Sequence, residues 1–299
     1  MGTEFWWFYD VIAVAVLLVC IFLSSRKGFV RGIFTVVCCA VSLLVASAVS
    51  GTVSQELYKN TMRSSNVKKI EKNLKSDTFT QKYADYLENM GYFIKVNPDK
   101  LNEIFTADNE LDKTLCNYIN NVNARTVEDN EAVLLEKIHE GYAVVMSDII
   151  SQSLNKFSAE TAANEIRNDS SGMKEFLVLV LDKDGVHNAA VYIADNYTAK
   201  AYTTIFRLTG FVVLYIAVFL LLTAFLNAFA GKREGGESTG SHIAGGFMGI
   251  ITGGIMIFAV SAVIRLWAIM GSNEMLFFNN NVIDETFIFK YFYDLTLNM

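Results

Sequence analysis

The sequence predicts an all-α integral membrane protein: four transmembrane helices in two hairpins, with a mainly helical extracytoplasmic domain between the hairpins. Three observations carry this. The chain is 52% hydrophobic over 299 residues, with one proline. The apolar residues gather at the two ends, in four nearly uncharged runs of about 20 residues, the length a helix rising 1.5 Å per residue needs to cross about 30 Å of hydrocarbon. Lysine and arginine concentrate in both short loops, which marks loops kept on the cytoplasmic side.

The first span is residues 8–23, "FYDVIAVAVLLVCIFL". The preceding "MGTEFWW" has no cation, so an uncleaved helix is expected rather than a signal peptide. Val19 stands before Cys20 where a lipoprotein cleavage site would have a small residue. The turn "SSRKGFVRG" follows, with Arg26, Lys27 and Arg31 as topology anchors and Gly28 and Gly32 allowing close packing. The second span, 29–50, carries Cys38, Ser42, Ala46 and Ser50 every four residues, a row of small side chains on one face.

Residues 51–204 form the long middle segment. They hold 17 Lys/Arg against 23 Asp/Glu, so this segment carries the whole net charge of −6. An acidic outer domain argues against nucleic acid or anionic lipid as its partner, and other membrane or envelope proteins are expected there. Asn97-Pro98 reads as a helix start, and Thr126 with Glu128 and Asp129 as another. "FLVLVL" from Phe176 is either a strand or a buried helix by periodicity, and Asp182–Gly185, "DKDG", is a turn. From Val186 a helical pattern runs toward the third span. Cys116 is the one cysteine outside the spans, so no disulfide framework is readable.

The third span is 205–230. The loop 231–242 adds the anchors Lys232 and Arg233, and with two crossings on each side both termini and the middle domain are expected outside. The loop also contains "GESTG", Gly236–Gly240, a G-x-S-x-G match without the strand-to-helix turn that chemistry requires. The fourth span, 243–270, has Gly245, Gly249 and Gly253 at four-residue spacing. Such a ladder is expected to pack another helix; a partner groove or narrow path is the sharper alternative. Residues 271–299 form an aromatic tail too short to span, expected at the outer interface or against the bundle.

Asp10, Arg207 and Arg265 each sit near an outer helix end, so either an ion pair of Asp10 with one of the arginines or separate snorkelling of each charge to the interface is expected. Enzyme motifs are absent: His139-Glu140 has Ala143 where a zinc helix needs histidine, and His139, His187 and His242 are scattered. No cofactor, metal or catalytic residue is expected.

Asp10, the "RKGFVRG" turn, the short polar loop, the ladder Gly245/Gly249/Gly253 and the tail "FIFKYFYDL" occur in the order and spacing of the colicin V production protein (CvpA) family, which the chain resembles over residues 1–50 and 205–299. Ser241-His242 stands where that family usually has an Asp-Arg pair, and the middle segment is far longer than in its short members. The resemblance implies a non-enzymatic bacterial inner-membrane protein tied to toxin production, export and envelope integrity. A channel or transporter subunit for a small solute or peptide is the alternative, and a homo-oligomer is compatible with either.

Overall fold

The computed structural model describes residues 5–107, 110–122, 129–229, 238–271, 280–297 and 299, and every regular element in them is helical. In chain order they are α1 (Trp7–Leu57), a π turn (Tyr58–Met62), α2 (Arg63–Asn73), α3 (Thr78–Glu88), α4 (Pro98–Thr106), α5 (Leu111–Asn121) and α6 (Glu131–Ser151). Then come α7 (Lys156–Asn168), α8 (Met173–Leu181), α9 (Val186–Tyr192), a second π turn (Ile193–Thr198), α10 (Ala199–Phe229), α11 (Thr239–Met270), α12 (Asn280–Asp284) and α13 (Phe289–Leu297). Three helical stretches, starting at Trp7, Val186 and Thr239, are long and apolar enough to cross a membrane.

The chain divides into two compact units, Met1–Leu57 with Thr203–Met299, and Tyr58–Tyr202. In the first, the usual burial pattern is inverted. The buried positions of α1 are mostly small (Ala13, Gly28, Gly32, Cys38, Ser42, Ala46 and Ser50 among them). Leu18, Phe22 and Leu44 on α1, Leu221 on α10 and Phe247 on α11 face outward, each more than half exposed. Lipid gives no reason to hide large apolar side chains, while small ones let backbones approach, so this is the packing of a bundle built for hydrocarbon. Ser42 and Ser54 donate to the carbonyls of Cys38 and Gly51, both at 2.7 Å, which satisfies the hydroxyls within their own helix.

α1 is two helical arms. Gly28 sits at φ 74°, ψ 175°, non-helical geometry inside an otherwise helical run. The neighbours along α11 show what the break does. Leu17 lies against Gly253, Cys20 and Ile21 against Gly249, and Ser24 and Gly28 against Gly245. Beyond the break Gly32 lies against Met248. The order on α11 falls and then rises, so the chain reverses direction at Gly28.

The Tyr58–Tyr202 unit has its own core, centred on Phe79, Tyr83, Phe105, Tyr142 and Phe176. Phe79 meets Phe176 edge-on at 5.4 Å, and Tyr83 stacks on Tyr142 at 5.1 Å. Gly141 on α6 leaves room for these rings, since a Cβ there would fall 2.6 Å from Tyr86 and 2.8 Å from Tyr83. Asn97 caps α4 by accepting from the Asp99 amide, with Pro98 in the first turn. α6 opens on Asn130, whose side chain accepts from the Val133 amide. The start expected at Thr126 is therefore displaced: Thr126 and Glu128 lie outside the described residues, and the capping side chain is Asn130. The ambiguous run at Phe176 is helix α8, with Phe176, Leu177 and Val180 buried on one face. From Val186 helical backbone continues through the π turn Ile193–Thr198 into α10. The two π turns are tied together. Tyr58 donates to the Ala194 carbonyl at 2.6 Å, and Arg63 grips Asp195 in a two-point pair at 2.6 and 2.7 Å. A π turn departs from the regular ladder, and the Tyr58 hydroxyl takes up the Ala194 carbonyl within it.

Candidate functional site

The features that combine geometry with chemistry lie in the first unit. The first is the seam between α1 and α11. A Cβ on Gly245 would come 2.7 Å from the Ser24 carbonyl oxygen, and one on Gly249 2.5 Å from Ile21 Cα. One on Gly253 would meet Leu17 Cδ1 at 2.7 Å. The ladder is thus filled by the backbone of the chain's own first arm. Gly246 and Gly254 stand beside it without such contacts. At Gly245, Gly249 and Gly253 the face of α11 is in contact with the first arm of α1.

The Gly28 turn is closed by the start of α11. A reversal between helices leaves the last carbonyls of one arm and the first amides of the next without partners in their own helices. The Phe29 amide donates to Ser241 Oγ at 3.0 Å, and His242 Nδ1 donates to the Ser25 carbonyl at 2.7 Å. Ser241 and His242 are therefore the residues that bind the turn. Ser238 caps α11, with Thr239 and Gly240 in its first turn. The serine of "GESTG" is a helix cap, and Lys232 and Arg233 lie outside the described residues. Arg26, Lys27 and Arg31 at the turn are exposed.

The third feature corrects an expectation. Asp10 pairs with neither Arg207 nor Arg265 among the described residues. Its carboxylate accepts from the amides of Phe287, Ile288 and Phe289 at 2.8, 2.9 and 2.9 Å. These amides lead into α13, so Asp10 caps a helix far away in sequence, where a negative charge meets the positive end of the helix dipole. Thr286 adds a local cap, its Oγ accepting from the Lys290 amide at 2.8 Å. The tail is consequently folded in: Tyr9, Ala13, Ile257, Ile264, Val282, Ile283, Phe289 and Tyr293 form one buried cluster. Phe289 stacks on Tyr9 at 5.2 Å, and Ser261 donates to the Phe292 carbonyl at 3.1 Å. Of the two placements expected for the tail, it lies against the bundle. Its signal in the sequence was Thr286 before an amphipathic run; nothing local pointed to Asp10 as the second cap.

Arg265 is 8% exposed, buried among these residues. Arg207 donates from Nη1 to the main-chain oxygen of Met299 at 3.3 Å and lies over Gly51 of α1.

In the Tyr58–Tyr202 unit several charged residues pair with one another. His139 Nε2 meets Asp112 at 2.8 Å, and the Asp112 carboxylate raises the histidine above its ordinary value. Glu140 holds Arg167 at two points, 2.7 Å each, and is lowered by it. Lys137 is pushed up to about 12 by Asp129, with Tyr92 assisting. Cys116 is a core residue whose thiol burial pushes up to about 11. Among the described residues no three metal-ligating side chains converge.

No family model matches the chain, and no curated protein or solved structure matches it.

Proposed function

We propose that this chain is a CvpA-like, four-span bacterial inner-membrane scaffold without catalytic activity, assisting toxin or bacteriocin production or export and the upkeep of the envelope. The observation that carries the scaffold reading is the closed seam: Gly245, Gly249 and Gly253 hold backbone of the same chain at contact distance. A conduit needs a path and ionisable residues near mid-membrane. The filled ladder and the placement of Asp10, Arg207 and Arg265 near helix ends support the scaffold over a channel or transporter subunit. The reversal at Gly28 supports counting α1 as two crossings, with α10 and α11 as the third and fourth. The cationic turn then lies in the cytoplasm, and both termini and Tyr58–Tyr202 lie outside. The family assignment rests on the sequence resemblance of residues 1–50 and 205–299.

On this reading the acidic outer domain docks envelope proteins, and the bundle, singly or as a homo-oligomer, holds it at the membrane. The test has two arms. Cells lacking the chain should show a leaky envelope and reduced toxin export, restored by the natural chain and not by Gly249→Leu. Purified protein in liposomes should pass small ions and peptides no faster than empty liposomes. Saturable solute flux would overturn the scaffold reading.

A further inference from the structure

The Gly28 turn gathers charge that the bundle does not neutralise. Arg26, Lys27 and Arg31 are exposed, and none forms an ion pair among the described residues. No Asp or Glu occurs from residue 11 to residue 55, or from 196 to 233. The loop 231–237 brings Glu234 and Glu237, but also Lys232 and Arg233, so turn and loop together hold five cations against two acids. Asp10 stands sixteen residues before Arg26, about 24 Å along a helix, and Glu56 twenty-five after Arg31, about 38 Å. Asp284, Glu285 and Asp294 belong to the tail that docks at Asp10. Glu4 and Glu274 lie outside the described residues.

The cations are carried on a fixed frame beside apolar surface. Ser241 holds the Phe29 amide and His242 the Ser25 carbonyl, so the backbone is tied on both sides of Gly28. The Arg26 guanidinium folds back over the Phe22 ring, 5.6 Å from its centre, within the range of a cation–π contact. Phe22 is 59% exposed, and Leu23, Phe29 and Val30 are exposed around the turn. Fixed cations bordered by apolar side chains fit a molecule with an anionic head and a hydrocarbon body. Guanidinium forks match the oxygens of a phosphate. A zwitterionic headgroup brings a cation of its own, which the excess of positive charge opposes. A soluble acidic partner would use the charges and leave the apolar border idle.

We propose that the Gly28 turn binds an anionic phospholipid: Arg26, Lys27 and Arg31 hold its headgroup, and Phe22 supports the Arg26 guanidinium at the boundary with the acyl chains. The proposal rests on the reading of residues 24–32 as a turn at the membrane surface. Bound lipid would fix the turn and, through Ser241 and His242, the start of α11.

The test uses the full chain in a nonionic detergent, titrated with phosphatidylglycerol or phosphatidylcholine and read by native mass spectrometry. Phosphatidylglycerol should bind more tightly. Arg26→Gln, Lys27→Gln and Arg31→Gln should each weaken its binding by about fivefold, the scale of one basic residue at an anionic membrane surface. Phe22→Ala keeps every charge and should also weaken it, by about threefold, the lower end of a cation–π contact. Lys113→Gln, in the other unit, should change nothing. Should a variant fail to fold, phosphatidylglycerol with a photoreactive headgroup decides on the unaltered protein: it should attach within residues 22–31, and attachment only elsewhere overturns the proposal. Equal binding of the two lipids, or binding that survives all three glutamine replacements, overturns it as well. Unchanged binding in Phe22→Ala would mean that charge alone attracts the lipid, and the built site would fall. Displacement of phosphatidylglycerol by inorganic phosphate or by polyglutamate at equal concentration would overturn the lipid source. Binding in detergent does not depend on which side the turn faces, so its failure leaves the four-span reading standing.

Discussion

Gly249→Ala adds one methyl group at the tightest point of the α1–α11 seam. The new Cβ would lie 2.5 Å from Ile21 Cα, 2.7 Å from the Cys20 carbonyl oxygen and 2.9 Å from the Ile21 amide nitrogen. All three are backbone atoms, so no side chain can turn away to make room. Reaching even a tight contact of 3.4 Å requires the helices to separate by close to 1 Å, which loosens the contacts at Gly245 and Gly253 on either side. Overpacking of this kind costs about 1–3 kcal/mol. Alanine returns about 1 kcal/mol through better helix propensity, so the net loss should be about 0–2 kcal/mol, and in any case larger than for a glycine with open space. Gly254→Ala is the matched control, since nothing lies within 4 Å of its added Cβ. It should be neutral or stabilising by up to about 1 kcal/mol. Gly246→Ala, with its nearest atoms at 3.8 and 4.0 Å, should resemble the control. The assay is unfolding in mixed micelles titrated with a denaturing detergent, followed by tryptophan fluorescence. If all three variants behave alike, or if Gly254→Ala is the worst, the seam is not where the bundle is held and the reasoning fails.

Further outcomes follow from the same geometry. Gly28→Ala should destabilise by about 1–3 kcal/mol, because φ 74°, ψ 175° belongs to a region that is nearly reserved for glycine; near-normal stability in the same titration would show that the reversal does not need this conformation. Asp10→Ala should release the tail, at about 1–2 kcal/mol for a lost cap, read as faster proteolysis after Phe287 with the bundle intact. Asp10→Ala combined with Arg265→Leu should be additive within about 0.5 kcal/mol, since the two side chains share no contact; strong coupling would restore the ion pair. His139 has its folded-state value raised by Asp112. Its contribution to the Tyr58–Tyr202 unit is thus fully present below the ordinary value near 6.5 and is lost as pH rises through the raised one. Asp112→Asn should flatten the melting temperature between pH 6 and 8, and an unchanged slope would remove His139 as its source.

The sequence was most legible where the signal was local. The apolar runs, the Asn97-Pro98 helix start and the Asp182–Gly185 turn each depend on a few adjacent residues and on the chemistry of glycine, proline and capping side chains. Gly28 is legible as a turn residue for the same reason. What could not be read was the choice of long-range partner. Asp10 near two arginines invites an ion pair, yet a distant helix start offers it three amides, and nothing in the order of residues ranks the two. Phe176–Leu181 is apolar at every position, so periodicity does not separate strand from helix; its burial against α4 and α9 settles it. Thr126 is a plausible cap, but Asn130 stands closer to the first buried turn of α6. Ser241 and His242 were visible only as a departure from a family pattern, and their role depends on how the first arm crosses α11.

Cys116, the natural choice for mapping sidedness, is 3% exposed and will not report it. The decisive measurement is labelling of two engineered cysteines in intact cells with a membrane-impermeant thiol reagent. Lys113→Cys is exposed on the Tyr58–Tyr202 unit, and Lys27→Cys is exposed at the Gly28 turn. The account predicts that Lys113→Cys is modified in intact cells and Lys27→Cys only after the membrane is opened. Modification of both from the same side, or protection of Lys27→Cys even in opened membranes, would mean that α1 does not cross twice, and the four-span scaffold would fall.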